Sequence, residues 1–201
     1  DVVIDQICMT AEDADLAIQA FSGKTQHYIL TSTLSVYPFG ANQKETDFDA
    51  LKYSATISEK PLTDSEKYAE GKRAAEKTFL SKSPFSLAIM RIPVVVGLDD
   101  YTGRLKLHIE KVKQQKKIYF PNLDAKFSFI DSEDAARALE WLSTQKKSGV
   151  YNFASKDVLK LTEFISLIEN KTGKKAVIAS EPDPQLWSPF GIPSDWYMNV
   201  S

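Results

Sequence analysis

The sequence predicts an α/β fold in which a mostly parallel sheet is covered by helices, a doubly wound arrangement. Two observations support this prediction. Short apolar runs alternate along the chain with longer amphipathic stretches, which is the pattern of strands joined by crossover helices. The chain has 201 residues, of which 43% are hydrophobic and 26% charged, as expected for one globular core with room for a smaller lobe.

The N-terminal part of the chain predicts a strand, a helix and a second strand. Residues 2–8 form the apolar run that begins the sheet. Thr10 is placed to cap a helix over residues 11–21, which the Ser-Gly pair at 22–23 closes. The second strand covers residues 28–32 and leads into a cluster of hydroxyl side chains.

A long polar stretch follows the second strand. From Pro38 to about Leu62 it has little periodicity and exceeds the length of an ordinary connection, so it is predicted to be a functional loop or a lid. Asp64 or Ser65 then caps a helix that runs to about Leu80.

The rest of the chain continues the alternation of strands and helices. Strands are predicted at 85–92 and 150–153, and helices at 101–115, 131–142 and 161–172. The helix that begins at Asp131 carries acidic residues in its first turn, where the helix dipole favours them. From Glu181 onward, four prolines and two tryptophans interrupt any regular pattern, which predicts a loop-rich lobe.

Charge and composition argue against several classes of protein. A net charge of −2 gives no general attraction to nucleic acid, and the lysines at 111–117 are predicted to be a solvated helix end. The single cysteine, Cys8, excludes an internal disulfide and is predicted to be a small buried hydrophobe. The apolar stretches are too short to span a bilayer and nothing resembles a signal peptide, so a cytoplasmic location is expected.

The pair formed by Tyr68 and Lys72 is the strongest functional signal. It is the only case in which one of the eight tyrosines has a lysine four residues on. Positions i and i+4 share a helix face, so the Lys72 ammonium can favour the phenolate, which is a usable general base. About one such match is expected by chance, and the alternative is a solvated helix face. The hydroxyl cluster that includes Thr33 favours a site.

Several segments, in the same order, resemble the extended short-chain dehydrogenase/reductase superfamily, the NAD-dependent epimerases and dehydratases of sugar nucleotides. Thr-Ser-Thr-Leu-Ser-Val-Tyr at 31–37 is similar to the family's Ser-Ser-x-x-Val-Tyr-Gly, and Tyr68 with Lys72 to its Tyr-x-x-x-Lys. Other segments with family counterparts lie at 91–97, 100–105, 129–139 and 149–153. The resemblance implies a Rossmann-like sheet with a small C-terminal substrate lobe.

The resemblance also implies a role for each site residue. Tyr68, as phenolate, would take a proton from a sugar hydroxyl while hydride leaves the same carbon for the nicotinamide. Lys72 would lower the phenol's pKa and bond the cofactor ribose, and Thr33 would hydrogen-bond the reacting oxygen of the substrate. The turn at Pro93 would approach the nicotinamide. Arg104 would meet a substrate phosphate, with a surface salt bridge or structural contact as an equal alternative.

The chain departs from the family where the cofactor would bind. None of its eight glycines forms a glycine-rich turn between the first strand and helix, where backbone amides would meet the pyrophosphate. The resemblance therefore implies a fragment that is truncated at both ends, lacks the first βαβαβ half and by itself holds no NAD or NADP. Ile7 stands where the family has smaller residues, which predicts a narrower space for the cofactor ribose.

The implied organisation has two parts. Residues 1–160 would form a partial Rossmann-like NAD(P)-binding domain, with lobe segments interleaved from about 98–130, and residues 161–201 a partial substrate lobe. The implied partner is a nucleotide-sugar or another small molecule, and a homodimer is compatible with the family. Arg91 and Asp134 are predicted to be structural, as a strand-end anchor and a helix-start carboxylate.

Functions of different classes remain open. The first is an NAD(P)-dependent epimerase or dehydratase that acts on a nucleotide-activated sugar, which the set Thr33, Tyr68 and Lys72 favours. The second is an atypical, non-catalytic binding or regulatory protein, for example one that binds RNA, which Ile7 and the missing glycine turn favour. A reductase of another small carbonyl compound on the same scaffold is a third alternative.

Overall fold

The computed structural model of the protein describes residues 1–55 and 60–200, which form an α/β fold. The strands, in chain order, are β1 (Val2–Asp5), β2 (His27–Thr33), β3 (Gly40–Gln43), β4 (Ser86–Ile92), β5 (Val94–Val96), β6 (Lys117–Ile118), β7 (Lys126–Phe127), β8 (Phe129–Asp131), β9 (Gly149–Asn152), β10 (Leu159–Lys160), β11 (Val177–Ile178) and β12 (Trp196–Met198). The α-helices are α1 (Ala11–Phe21), α2 (Asp64–Lys82), α3 (Arg104–Lys113), α4 (Ser132–Gln145) and α5 (Leu161–Thr172). Short 3₁₀ helices cover Leu34–Val36, Glu45–Asp47 and Ala50–Lys52.

The central sheet contains four parallel strands in the order β1-β2-β4-β9. Successive side chains of a strand point to opposite faces. Along β2, Tyr28 and Leu30 therefore enter the core beneath α1 and α2, while Ile29 enters a separate core beneath α4. Helices on both faces of a parallel sheet form a doubly wound arrangement, which confirms the predicted fold class.

A third and larger core begins where β2 ends and is built mostly from side chains of the C-terminal part of the chain. Phe129, Phe164 and Phe190 pack against one another in it. Strands of this part form three small sheets, in the orders β10-β7-β12-β3, β5-β8 and β6-β11. Apart from β12, the tail from Glu181 consists of turns and irregular segments, as the sequence predicts.

Local caps explain most helix boundaries. The bounds of α1 and α5 are those predicted, and Thr10 forms a reciprocal capping box at the start of α1. The cap of α2 is Thr63, rather than Asp64 or Ser65, because Thr63 and the glutamate three residues later bond each other's backbone. Asp131 caps α4 and does not lie within it.

Helix α3 is shorter than predicted. Gly103 adopts a left-handed conformation with φ of 63°, so α3 begins at Arg104 instead of residue 101. The lysines at 111–117 lie at and beyond its end and are at least partly exposed, as predicted for a solvated helix end. Of the helices in residues 1–55 and 60–200, none is both long and apolar enough to cross a membrane.

The turn after β1 differs from the prediction of a strand over residues 2–8. β1 ends at Asp5, because the Asp5 carboxylate accepts hydrogen bonds from the backbone N–H groups of Ile7 at 2.9 Å and Cys8 at 3.0 Å. This turn buries Cys8, which is 2% exposed, so the prediction of a small buried hydrophobe is confirmed.

The stretch from Pro38 to Leu62 contains more regular structure than its lack of periodicity suggests. β3 pairs in parallel with β12, and two 3₁₀ helices follow it. Lys77 of α2 donates a hydrogen bond to the carbonyl of Tyr53 at 2.6 Å, which fixes the stretch to that helix. Residues 56–59 of the predicted loop lie outside the described residues. A lid function remains a prediction.

Candidate active site

A cavity of about 310 Å³ lies at the carboxyl ends of β2 and β4, beside α2. Every residue predicted for the site lines it: Thr33, Tyr68, Lys72, Pro93 and Arg104. These residues come from the end of β2, from α2, from the link between β4 and β5, and from the start of α3. The carboxyl ends of parallel strands form one edge of the sheet, where α/β proteins commonly bind ligands.

Thr33 connects the hydroxyl cluster to the tyrosine. It is the last residue of β2 and is 8% exposed. Its hydroxyl accepts a hydrogen bond from the backbone N–H of Ser35 at 3.1 Å and donates to the Ser35 hydroxyl at 3.3 Å. Thr33 and Tyr68 line the same cavity, and Lys72 of α2 donates to the carbonyl of Thr31, so the strand end and the helix are in contact.

The electrostatics of Tyr68 differ from the sequence-based prediction. Burial raises the pKa of the phenol above its usual value, whereas the hydrogen bond with Thr33 and the charge of Arg104 act to lower it. The side chain is 40% exposed, so water limits the effect of burial. The Lys72 ammonium lies 6.0 Å from the centroid of the Tyr68 ring and donates its hydrogen bonds to the carbonyls of Cys8 and Thr31, so its predicted lowering of this pKa stays a prediction.

Lys72 is held by the backbone of two other segments. Its side chain is 3% exposed, and Nζ donates to the carbonyls of Cys8 at 2.6 Å and Thr31 at 2.9 Å. Burial lowers the pKa of Lys72, and nearby groups, with Asp5 and Glu76 among them, partly oppose that change. The lysine therefore fixes α2 to the turn after β1 and to the end of β2.

Arg104 makes a structural contact and also lines the cavity, while its binding of a substrate phosphate stays a prediction. Its Nε donates to the hydroxyl of Thr102 at 2.9 Å, which is a structural contact. It also lines the cavity close enough to Tyr68 for its charge to lower the phenol's pKa. Pro93 forms part of the cavity wall together with Ile92.

Ile7 does not line this cavity. It is 85% exposed and lies beside a separate groove along β1 and α1. Gln6 and Met9 line the cavity instead. The turn that Asp5 stabilises directs the isoleucine side chain outward, and the narrowing of a ribose site by Ile7 stays a prediction.

Aromatic residues that sequence reasoning missed complete the cavity. Tyr101, Phe127 and Trp196 line it from three segments that are distant in sequence. The Trp196 ring packs edge-on against Phe39, with centroids 4.9 Å apart, and lies 6.2 Å from the ring of Phe127. No local spacing relates these residues, so only the folded chain shows that they share a surface.

The residues predicted to be structural form ion pairs. Arg91 is 1% exposed, and its guanidinium contacts the Glu76 carboxylate at 2.6 Å. Asp134 lies in the first turn of α4 and pairs with Arg137 at 2.8 Å. The sequence analysis missed Glu76, although its position eight residues after Tyr68 places both on one face of α2.

Comparison with known proteins gives a family match. The model of the NAD dependent epimerase/dehydratase family matches residues 13–154. Among curated protein sequences, none matches the chain significantly.

Several solved structures have a similar fold. MoeE5 in complex with UDP-glucose and NAD is 17% identical with a TM-score of 0.71, over 94% of this chain and 61% of that protein. UDP-glucuronic acid 4-epimerase from Bacillus cereus in complex with NAD is 20% identical with a TM-score of 0.66, over 84% and 53% of the two chains. UDP-N-acetylglucosamine 4-epimerase from Bacillus cereus is 20% identical with a TM-score of 0.70, over 100% and 71%. The chain thus spans 53% to 71% of the lengths of these proteins.

Proposed function

Because the chain belongs to the NAD-dependent epimerase/dehydratase family, we propose that it carries the catalytic groups of an enzyme that acts on nucleotide-activated sugars by proton and hydride transfer. The observation that carries this proposal is the convergence of Thr33, Tyr68 and Lys72 on one cavity. Proteins of similar fold that are described as bound to UDP-glucose and NAD support the class of substrate and cofactor.

The described residues fit the nicotinamide end of a dinucleotide. The hydroxyl oxygen of Thr31 is buried and has no hydrogen-bond partner within residues 1–55 and 60–200. Lys72 has three N–H donors, of which the carbonyls of Cys8 and Thr31 take two. Thr31 also lines an adjoining cavity of about 410 Å³. The Thr31 hydroxyl and the Lys72 ammonium are therefore placed where ribose hydroxyls could bond them.

In the proposed reaction, each residue handles a specific atom. Tyr68, as the phenolate, takes the proton of a sugar hydroxyl. The Thr33 hydrogen bond and the Arg104 charge favour this phenolate over the neutral phenol. Lys72, Tyr68 and Pro93 would hold the cofactor, which supplies a hydride acceptor when bound. Arg104 would bind a phosphate of the substrate through its planar guanidinium.

The substitution Tyr68→Phe tests this proposal. In the complete protein, we expect turnover of UDP-glucose or UDP-glucuronic acid with NAD, followed by NMR of the sugar products, to fall by about 10²- to 10⁴-fold because the proton-transfer group is lost. Tyr119→Phe is the matched control, because Tyr119 packs against Trp187 with tilted rings and does not line the cavity. Turnover that is equal in the wild-type protein and Tyr68→Phe would overturn the catalytic assignment.

The pKa of Tyr68, which burial raises, favours a second candidate, a non-catalytic binding or regulatory protein on the same fold, because a raised pKa leaves less phenolate to act as a base. This candidate predicts calorimetric binding of UDP-glucose, or of RNA, without conversion of the sugar in the presence of NAD. Conversion that depends on Tyr68 would rule it out.

A further inference from the structure

One face of α2 contacts the last three residues of β2 in turn. Tyr68, Lys72 and Glu76 share this face because they are four residues apart. Of the strand residues 31–33, the first accepts a hydrogen bond from Lys72 through its carbonyl at 2.9 Å, and the third lines the cavity beside Tyr68. The middle residue, Ser32, donates from its hydroxyl to Oε1 of Glu76 at 2.5 Å. Glu76 therefore completes a set of three adjacent contacts, two of which belong to the proposed site.

The Glu76 carboxylate is held from two strands in an interior without water contact. Glu76 is 0% exposed, Ser32 2% and Arg91 1%. Arg91 donates to the carboxylate from Nε at 3.0 Å and from Nη2 at 2.6 Å, a bidentate pair of fixed geometry. Ser32 and Arg91 are paired residues of β2 and β4, so both donors approach from the same level of the sheet.

The Arg91 side chain cannot turn without losing other contacts. Nη1 donates to the hydroxyl of Tyr37 at 2.8 Å and to the carbonyl of Glu45 at 3.0 Å. Nη2 also donates to the carbonyl of Phe48 at 3.1 Å. With the two bonds to Glu76, all five N–H donors of the guanidinium are used. The Glu76 carboxylate is therefore paired with the Arg91 guanidinium, whose orientation is fixed by its hydrogen bonds to the surrounding chain.

From this geometry we propose that Glu76 is a positioning residue for the candidate site. Its carboxylate, oriented by Arg91, fixes Ser32 and thereby holds the neighbouring Thr33 in the cavity wall beside Tyr68. The effect on turnover rests on the proposed function, whereas the effect on the contact between Thr33 and Tyr68 does not.

The substitution Ser32→Ala tests the proposal most directly. Replacing Glu76 or Arg91 would leave a buried charge without its partner, which is strongly destabilising and confounds the result. Ser32→Ala removes only the hydroxyl and keeps the ion pair. Ser86→Ala is the matched control: the Ser86 hydroxyl lies 2.9 Å from Nδ1 of His27 at the opposite end of the sheet.

The main measurement is the titration of Tyr68, followed by NMR with ¹³Cζ-labelled tyrosine. The loss of one signal in Tyr68→Phe identifies its resonance. In Ser32→Ala we expect Tyr68 to titrate at higher pH than in the wild-type protein, because a displaced Thr33 side chain does less to lower the phenol's pKa. Ser86→Ala should titrate like the wild-type protein. An unchanged Tyr68 titration in Ser32→Ala would overturn the positioning role.

Turnover provides a second readout that a purely structural role would not change. We expect kcat of Ser32→Ala to fall by about 10- to 100-fold with a smaller change in KM, since misplaced reacting groups slow the chemical step. If Tyr68→Phe keeps full turnover while Ser32→Ala shifts the Tyr68 titration, the proposed function fails and the positioning of Tyr68 stands. If Tyr68→Phe is inactive while Ser32→Ala resembles the wild-type protein in both readouts, the positioning role fails alone.

Discussion

Acidification should destabilise the protein through His108, a residue of α3 that is 0% exposed. Its ring stacks between Phe120 and Phe190, with centroids at 5.8 and 4.8 Å. Nδ1 lies 2.6 Å from the carbonyl of Arg104, which can only accept, so this nitrogen is assigned the proton. Nε2 then accepts from the hydroxyl of Ser188 at 2.7 Å. Both nitrogens are satisfied in the neutral form, and a second proton would place a charge in an aromatic core.

The size of the effect follows from the change in pKa. Burial lowers the pKa of His108 from the usual 6.5 to about 4. Each pKa unit corresponds to about 1.4 kcal/mol, so His108 contributes about 3 kcal/mol to the pH dependence of the unfolding free energy. Because the unfolded chain binds the proton more readily, the contribution is complete above pH 6.5 and is lost as the pH falls toward about 4. Typical domains have a total of only about 5–15 kcal/mol.

Urea unfolding at several pH values between about 7.5 and about 4 measures this contribution. His108→Gln keeps an amide donor and acceptor but does not titrate, so we expect a lower stability at neutral pH and a much weaker dependence on pH. His27, the other histidine, is also buried with a lowered pKa, and His27→Gln measures its separate share. If His108→Gln lost stability with falling pH as steeply as the wild-type protein, the assignment of this dependence to His108 would be refuted.

Three further predictions concern the thiol, a helix cap and the core. Burial raises the pKa of the Cys8 thiol to about 12. A thiol reagent at about pH 8 should therefore react slowly with the native protein and rapidly after unfolding. Equal reaction rates would contradict the buried placement. Thr63→Ala removes the capping box of α2 and should lower the unfolding free energy, measured with urea, by about 1 kcal/mol. Ser65→Ala is the control, and an equally small loss in both variants would argue against the cap. Phe79→Ala, at a side chain that is 0% exposed, should cost about 3–5 kcal/mol, and a loss no larger than for Leu80→Ala, which is 37% exposed, would contradict the packing.

The sequence by itself determined the features that depend on neighbouring residues along the chain. The helices at Ala11–Phe21 and Leu161–Thr172 have their predicted bounds, because periodicity and capping act within a few residues. The pair of Tyr68 and Lys72 was visible for the same reason, since a helix brings positions i and i+4 together whatever surrounds it. The alternation of strands and helices likewise predicted the doubly wound sheet.

The tertiary structure alone decided how these side chains are used. Lys72 bonds the carbonyls of Cys8 and Thr31, residues 64 and 41 positions away, and so it leaves the Tyr68 phenol to Thr33 and Arg104. Likewise, Glu76 acquires its role from residues of two other strands. Hydrogen bonds and desolvation depend on distances through space, and the folded chain sets those distances between segments that no local pattern connects.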